Sequence, residues 1–173
     1  MTINLQKIVF AFFATTISLC LSAQNELWVK TSPEKYNNDP KARRNAIPDK
    51  ADYYQLDLNL LKTKLVGAPV RGQFTGQSGL IISFPNAYGK LEQFRVMESP
   101  IMHPDLAAKY PMIKTYAAQG VDDPTSTMRF SITQFGLHTM VLSGLHSANY
   151  IDPYTTTSNV YIAYDKKSLG ANT

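Results

Sequence analysis

Apolar and polar residues after residue 51 alternate in short runs that predict β-strands joined by turns. In "TMRFSITQFGLHTMVLSG" every second residue from Met128 to Ile132 is apolar, and a turn sequence follows at residues 134–136. A second pair of apolar runs, "GLIISFPNAYGKLEQFRVME", is joined by the turn sequence "NAYG". Both stretches predict β-hairpins, and in the second we expect Phe94 and Val96 to face the core.

Two short helices interrupt this pattern of strands. In "DYYQLDLNLLKTKLVGAP" the alternation changes to helical spacing at Leu58, Leu61 and Leu65, which predicts a strand followed by a helix. "PDLAAKY" predicts a second helix, with Pro104 in the first turn, where the missing N–H costs nothing. "MIKTYAAQG", "NYIDPY" and "NVYIAYDKK" read as further strands. The chain is therefore predicted to be α+β and mainly antiparallel β, with two hairpins, additional strands and two short helices.

The N-terminus has the pattern of a secretory signal peptide. Lys7 precedes an apolar run of 14 residues, "IVFAFFATTISLCL", and "LSAQ" then predicts a signal helix cleaved between Ala23 and Gln24. The run is shorter than the roughly 20 residues of a membrane-spanning helix. We therefore expect a secreted protein with no stable membrane span after processing. An uncleaved anchor is the alternative, whereas Leu19 disfavours lipidation at Cys20.

The rest of the chain divides into a tether and a folded domain. The predicted units are the signal peptide at 1–23, an N-terminal segment and flexible linker at 24–51, a β-rich domain at 52–168 and a tail or truncated junction at 169–173. The linker prediction depends on "TSPEKYNNDPKARRNAIPDK", which has several prolines and almost no large apolar residue, so that ordering it gains little burial. Ahead of this stretch, Trp28 is expected to dock on an apolar surface.

Composition excludes several classes of function. Cleavage after Ala23 removes Cys20, the only cysteine, so that the mature protein of about 150 residues would have neither a disulfide nor thiol chemistry. The formal net charge of +4 falls to +3 when Lys7 is removed, which is too small to indicate binding to nucleic acid. The basic clusters "KARR" and "KK" are interpreted as solvated segments.

The sequence contains no motif of a known catalytic site. H-E-x-x-H, C-x-x-C, G-x-S-x-G, the P-loop and the dinucleotide-binding glycine motif are all missing from it. His138 and His146 share no ligand spacing and are interpreted as structural. Asp122 and Asp123 precede Pro124, where an aspartate commonly organises a turn. We therefore expect that this chain is not itself an enzyme.

The order of these elements resembles a known family. "YYQLDLNLLKTKLVGAP", the segment from "ISFPNAYGK" to "TMVLSG", "YIDPY" and also "LWVK" are similar to the N-terminal region of secreted reprolysin-like zinc metallopeptidases of Bacteroidetes such as flavobacteria. The resemblance implies a propeptide of a zymogen, which assists folding of the catalytic domain and acts as its protease inhibitor, in cis or in trans. It implies that zinc belongs to that catalytic domain, and that this chain holds no cofactor or metal, because no H-E-x-x-H helix occurs in its sequence.

Four residues are candidates to face the protease, by their chemistry alone: His103, Asp105, Asp122 and Asp123. Imidazole nitrogen and carboxylate oxygen both bind zinc, and plain steric blockage is the alternative. The exposed "KARRN" sequence is a possible site of activating cleavage. A function from another class stays open, namely a stand-alone secreted β-rich module that binds carbohydrate or a cell surface through tyrosines and Trp28. A small hydrolase with an acid pair is a third possibility.

Overall fold

A computed structural model describes residues 26–44 and 46–170. The predicted signal helix and the cleavage position between Ala23 and Gln24 lie outside these residues. The described chain forms one antiparallel sheet of nine strands with two short α-helices, which confirms the predicted fold class. The elements are β1 (Trp28–Thr31), β2 (Asp52–Leu56), α1 (Leu58–Leu65), β3 (Ile81–Pro85), β4 (Leu91–Glu98), α2 (Pro104–Lys109), β5 (Lys114–Gly120), β6 (Thr127–Thr133), β7 (Gly136–Leu142), β8 (Asn149–Pro153) and β9 (Val160–Asp165).

The strands follow the order β1-β2-β9-β8-β7-β6-β5-β4-β3. The predicted hairpins are β3–β4 and β6–β7, with Ile82 opposite Phe94 and Ser131 opposite His138. In the first hairpin the side chain of Asn86 accepts hydrogen bonds from the backbone N–H groups of Tyr88 and Lys90, as its turn sequence predicts. The chain thus runs mostly between neighbouring strands, and the exception is the step from β2 to β3.

The sheet curls until its two edge strands, β1 and β3, approach each other. The indole Nε1 of Trp28 donates a hydrogen bond of 3.0 Å to the backbone carbonyl of Ser83. The same ring lies 6.1 Å from Phe84 and 6.0 Å from Tyr161, centroid to centroid. The result is a nearly closed, barrel-like sheet with an apolar interior.

The interior is filled by the alternate side chains that the strand periodicity predicts. Phe94, Val96 and Phe130 are almost fully buried there, and α1 adds Leu61 and Leu65 to the same core. The carboxylate of Asp57 caps α1 by accepting from the backbone N–H of Leu60. Phe94 and Val96 thus point inward, as expected, whereas Ile81 and Leu91 of the same hairpin and Met140 and Leu142 of the other are exposed.

The sheet begins earlier than the predicted domain boundary at residue 52. β1 pairs with β2, with Trp28 opposite Leu56, although it lies in the segment that the sequence places ahead of the domain. Trp28 is buried, which confirms that it docks on an apolar surface. A four-residue strand carries too little alternation to be read from sequence, and only pairing with β2 makes it part of the sheet.

Residues 41–44 and 46–48, called the docked segment below, lie against the body of the protein. Lys41 and Pro48 form isolated β-bridges with Thr155 and Leu169. Arg44 is half-buried, and its guanidinium donates 2.7 Å and 3.3 Å hydrogen bonds to the backbone carbonyls of Pro153 and Asp152. The composition of this segment predicts flexibility or loose docking. Its described hydrogen bonds to the body come from the backbone N–H of Ala42 and from the guanidinium of Arg44.

In residues 26–44 and 46–170 no helix combines the length and the apolar character needed to cross a bilayer.

Trp28→Ala is expected to lower the free energy of unfolding by about 3–5 kcal/mol, because it removes a buried aromatic ring and leaves a cavity. Urea denaturation of the purified protein measures this. Val29→Ala, a change at the neighbouring half-exposed position, should cost roughly 0.5 kcal/mol or less. Equal stability of the two variants would show that the contact between β1 and β3 contributes nothing to the fold.

Arg44→Ala is expected to speed tryptic cleavage after Lys41 roughly tenfold, because losing two hydrogen bonds of a charged donor makes opening of the docked segment easier by about 1–3 kcal/mol. Limited proteolysis followed by mass spectrometry reports the rate at that bond. Arg43→Ala removes a neighbouring exposed arginine and should leave cleavage after Lys41 at its original rate. If Arg44→Ala also leaves it unchanged, Arg44 does not hold the segment in place.

Candidate functional site

His103 and Asp105 lie at the start of α2, on the connection between β4 and β5. Their side chains are 75% and 89% exposed, and His103 Nδ1 is 3.5 Å from Asp105 Oδ2. The backbone of His103 begins the helix, since its carbonyl accepts from the N–H groups of Leu106 and Ala107. Both side chains are therefore available to a partner.

Asp122 and Asp123 organise the turn between β5 and β6. Asp122 accepts a 2.8 Å hydrogen bond from the backbone N–H of Gln93. Asp123 accepts from Thr125 through both its backbone N–H and its hydroxyl, and from the hydroxyl of Ser143 at 2.6 Å. The hydrogen bonds from Ser143 and Thr125 lower the pKa of Asp123. The oxygens of this pair are thus engaged in shaping the turn, as the sequence favours.

The two pairs lie at opposite ends of one strand. His103 and Asp105 precede β5, whereas Asp122 and Asp123 follow it. A strand of seven residues spans about 20 Å, and its length separates the connection that carries His103 and Asp105 from the turn that carries Asp122 and Asp123. In the described ranges, 26–44 and 46–170, no group of three or more His, Cys, Asp or Glu side chains is placed to hold a metal ion.

The end of the sheet that carries α2 also exposes large apolar side chains. We call them the apolar end surface, and they are Val66, Ile101, Leu106, Tyr110 and Met112. Val66, just after α1, and Met112, just after α2, line the same groove of about 440 Å³. Val66 and Ile101 are 87% and 78% exposed. Single exposed apolar residues are common, but a group of them at one end of a small domain indicates an interaction surface.

A second polar cluster lies on the outer face of the sheet, across β7, β8 and β9. His138 Nδ1 is 2.8 Å from Asp152 Oδ1, and the hydroxyl of Tyr164 donates a 2.7 Å hydrogen bond to Asp152 Oδ2. Arg44 of the docked segment lies over the ring of Tyr164, 5.8 Å from its centroid. The ring of Tyr164 is also stacked on Tyr150.

Electrostatics hold this cluster together. Burial by itself would raise the pKa of Asp152, but the hydrogen bonds from His138 and Tyr164 and the nearby positive charges outweigh it, and the pKa is lowered. Burial and the hydrogen bond to Asp152 raise the pKa of Tyr164. Burial lowers the pKa of Arg44, while the carboxylate of Asp152 opposes that change. Asp152 is thus a carboxylate that two side-chain donors stabilise.

The arrangement does not assemble an activated nucleophile. Ser131 lies opposite His138 on the neighbouring strand, but within the described part of the chain no hydrogen bond joins their side chains. The contacts of Asp152 instead fix its own position and that of the backbone to which Arg44 binds. The described contact of His138 is with Asp152, and its interpretation as a structural residue stays a prediction.

Sequence reasoning missed Asp152, Tyr164 and Arg44 as members of one cluster. Alternation in β7 indicates that His138 points away from the core, because Leu137 and Thr139 point inward. Its partner on β8 depends on the strand register, with Thr139 opposite Ile151. His138 and Asp152 are 14 residues apart in sequence, and no local pattern of residues shows how β7 and β8 are aligned.

Comparisons with protein families, with curated proteins and with solved structures find no match to this chain.

Asp152→Asn is expected to lower the free energy of unfolding at neutral pH by about 1–3 kcal/mol, because hydrogen bonds to a charged acceptor are weakened. The pKa of Asp152 is lower in the folded protein than the ordinary value of about 3.9. Its stabilising effect is therefore present above that value and is lost as the pH falls through the folded pKa.

Urea denaturation of both proteins between about pH 7 and pH 2 tests this pH dependence. The difference between the wild type and Asp152→Asn should shrink at the acidic end. Asp105→Asn, at a carboxylate whose side chain is 89% exposed, is the matched control and should stay within roughly 0.5 kcal/mol of the wild type throughout. A difference for Asp152→Asn that is independent of pH would contradict a role for its charge.

Proposed function

We propose that this chain is a secreted, propeptide-like domain that binds the catalytic domain of a reprolysin-like zinc metallopeptidase. The resemblance of its sequence to the N-terminal region of such precursors supports the choice of partner. The structural observation that carries the proposal is the apolar end surface, whose large apolar side chains are exposed on and beside α1 and α2. Binding there would assist folding of the catalytic domain or block its substrate cleft.

The chemistry around the apolar end surface suits a protein partner. Leu106 lies on α2, and Tyr110 and Met112 follow the helix directly, so that one short and exposed stretch of chain presents all three. Their burial by a partner would remove apolar area from water, at roughly 25 cal/mol per Å². His103 and Asp105 lie on the same connection and are the polar groups nearest in sequence to these residues. In this arrangement they would lie at the edge of the contact.

The location of the four polar candidates bears on how inhibition would work. Asp122 and Asp123 are at the far end of β5 and are engaged in their turn, so a partner held on the apolar end surface would meet only His103 and Asp105. With one exposed imidazole and one exposed carboxylate there, steric blockage of the cleft is the simpler mechanism. Zinc would then be bound only by residues of the partner.

The experiment is to mix the purified chain with an H-E-x-x-H catalytic domain of the resembled family and to follow peptide hydrolysis. We expect a concentration-dependent fall in the rate of hydrolysis, or a higher yield of active enzyme on refolding. The double variant Leu106→Asp/Met112→Asp should weaken the effect at least tenfold, a loss of roughly 1.4 kcal/mol or more in binding.

Leu145→Asp is the matched control, because Leu145 is 71% exposed and lies in the β7–β8 connection at the other end of the sheet. It should inhibit as well as the wild type. Unchanged hydrolysis and unchanged refolding yield at micromolar concentrations of the chain would refute the proposal. A carbohydrate-binding module would instead be indicated by saturable binding on a glycan array that Tyr150→Ala abolishes.

A further inference from the structure

A groove of about 570 Å³ crosses the outer face of β4, β5 and β6, apart from both surfaces described above. One wall is the glycine-bearing segment 71–79, which leaves the edge of the sheet after Arg71 and returns at Leu80. Arg71 donates its backbone N–H to the carbonyl of Glu98, and Val96 donates to Leu80. The segment is therefore fixed at both ends beside β4, and its middle part borders the groove.

The groove is deep at its centre because the strand register places a small residue between two larger ones. Met97 of β4 lies opposite Ala117 of β5, which in turn lies opposite Arg129 of β6. Ala117 has only a methyl group, so the space between Met97 and Arg129 is left open. The volume is within the range of roughly 300–1,000 Å³ that is typical of small-molecule sites.

Three arginines line this groove: Arg71, Arg95 and Arg129. Arg95 donates a 2.8 Å hydrogen bond to the backbone carbonyl of Ser78, and Arg129 donates a 3.1 Å hydrogen bond to the hydroxyl of Ser99. Neutral acceptors thus orient two of the guanidinium groups without neutralising them. In residues 26–44 and 46–170 none of the three arginines forms an ion pair, and no carboxylate is among the lining residues.

Charges of one sign in a groove repel each other and attract an ion of the opposite sign. A planar guanidinium retains further N–H donors after making one hydrogen bond, and its geometry matches carboxylate and phosphate oxygens. Met97 and Ala117 offer an apolar surface beside these donors. The site therefore suits a molecule that combines an anionic group with a carbon body.

We infer that this groove is a binding site for a small organic anion, whose carboxylate or phosphate oxygens are bound by Arg95 and Arg129, with Arg71 adjacent, and whose carbon body lies on Met97 and Ala117. The site is on the side of the sheet, whereas the proposed contact with a protease is at the end that carries α2. Ligand binding here does not depend on that proposal.

The test is a calorimetric or NMR titration of the purified chain at low salt with phenylphosphate, 3-phenylpropionate and inorganic phosphate. We expect saturable binding of at least one of the two organic anions with a Kd of about 1 mM or lower. Tighter binding of phenylphosphate assigns a phosphate ligand, and tighter binding of 3-phenylpropionate assigns a carboxylate. Inorganic phosphate, which has no carbon body, should bind more weakly than the better of these two.

Arg95→Gln/Arg129→Gln should weaken binding of the organic anion at least tenfold, while Arg43→Gln, at an exposed arginine of the docked segment, should change it less than twofold. Ala117→Leu keeps all charges but fills part of the groove with a larger side chain. It should also weaken binding at least tenfold. Thermal denaturation verifies that each variant is folded. The inference is wrong if no organic anion saturates at about 10 mM, if Arg43→Gln has the effect of the double variant, or if Ala117→Leu binds as the wild type does.

Discussion

The contact of Trp28 with the far edge of the sheet is the interaction on which the rest of the structure depends. A curled sheet of nine strands would otherwise present two free edges, β1 and β3. The indole fills the space between them and donates to the carbonyl of Ser83, while its ring packs on Phe84, Tyr54 and Tyr161. The side chain of Trp28 is therefore buried in the core and also donates a hydrogen bond to a carbonyl of the edge strand β3. In this way it closes the interior between β1 and β3, where no further strand of the described chain pairs with either edge.

Closure of the sheet separates three surfaces of different chemistry. The outer face of β7 to β9 carries a polar cluster in which Asp152 is bound by His138 and Tyr164. The outer face of β4 to β6 carries arginines without carboxylate partners among the described residues. The end near α2 is apolar. Satisfied groups stabilise the fold, whereas unneutralised charge and exposed apolar area favour binding to other molecules. Binding functions are therefore proposed for the latter two surfaces.

The alternation of residues was sufficient to predict the hairpins, the helix at Leu58–Leu65 and the inward direction of Phe94 and Val96, because a strand has a period of two residues. It could not predict β1, whose four residues have no clear period. It also could not pair His138 with Asp152. Such pairings depend on register between strands, which many weak contacts set together and no local motif encodes.

By itself the sequence determined the class of fold, the turn that Asp123 organises and the absence of familiar catalytic motifs, because each of these depends on neighbouring residues. Only the tertiary structure decided which distant residues share a surface. It placed His103 and Asp105 at the other end of β5 from Asp122 and Asp123, and it brought Arg95 and Arg129 to one groove across Ala117. Strand order and register convert positions along a chain into positions on a surface, and that conversion is a property of the whole sheet.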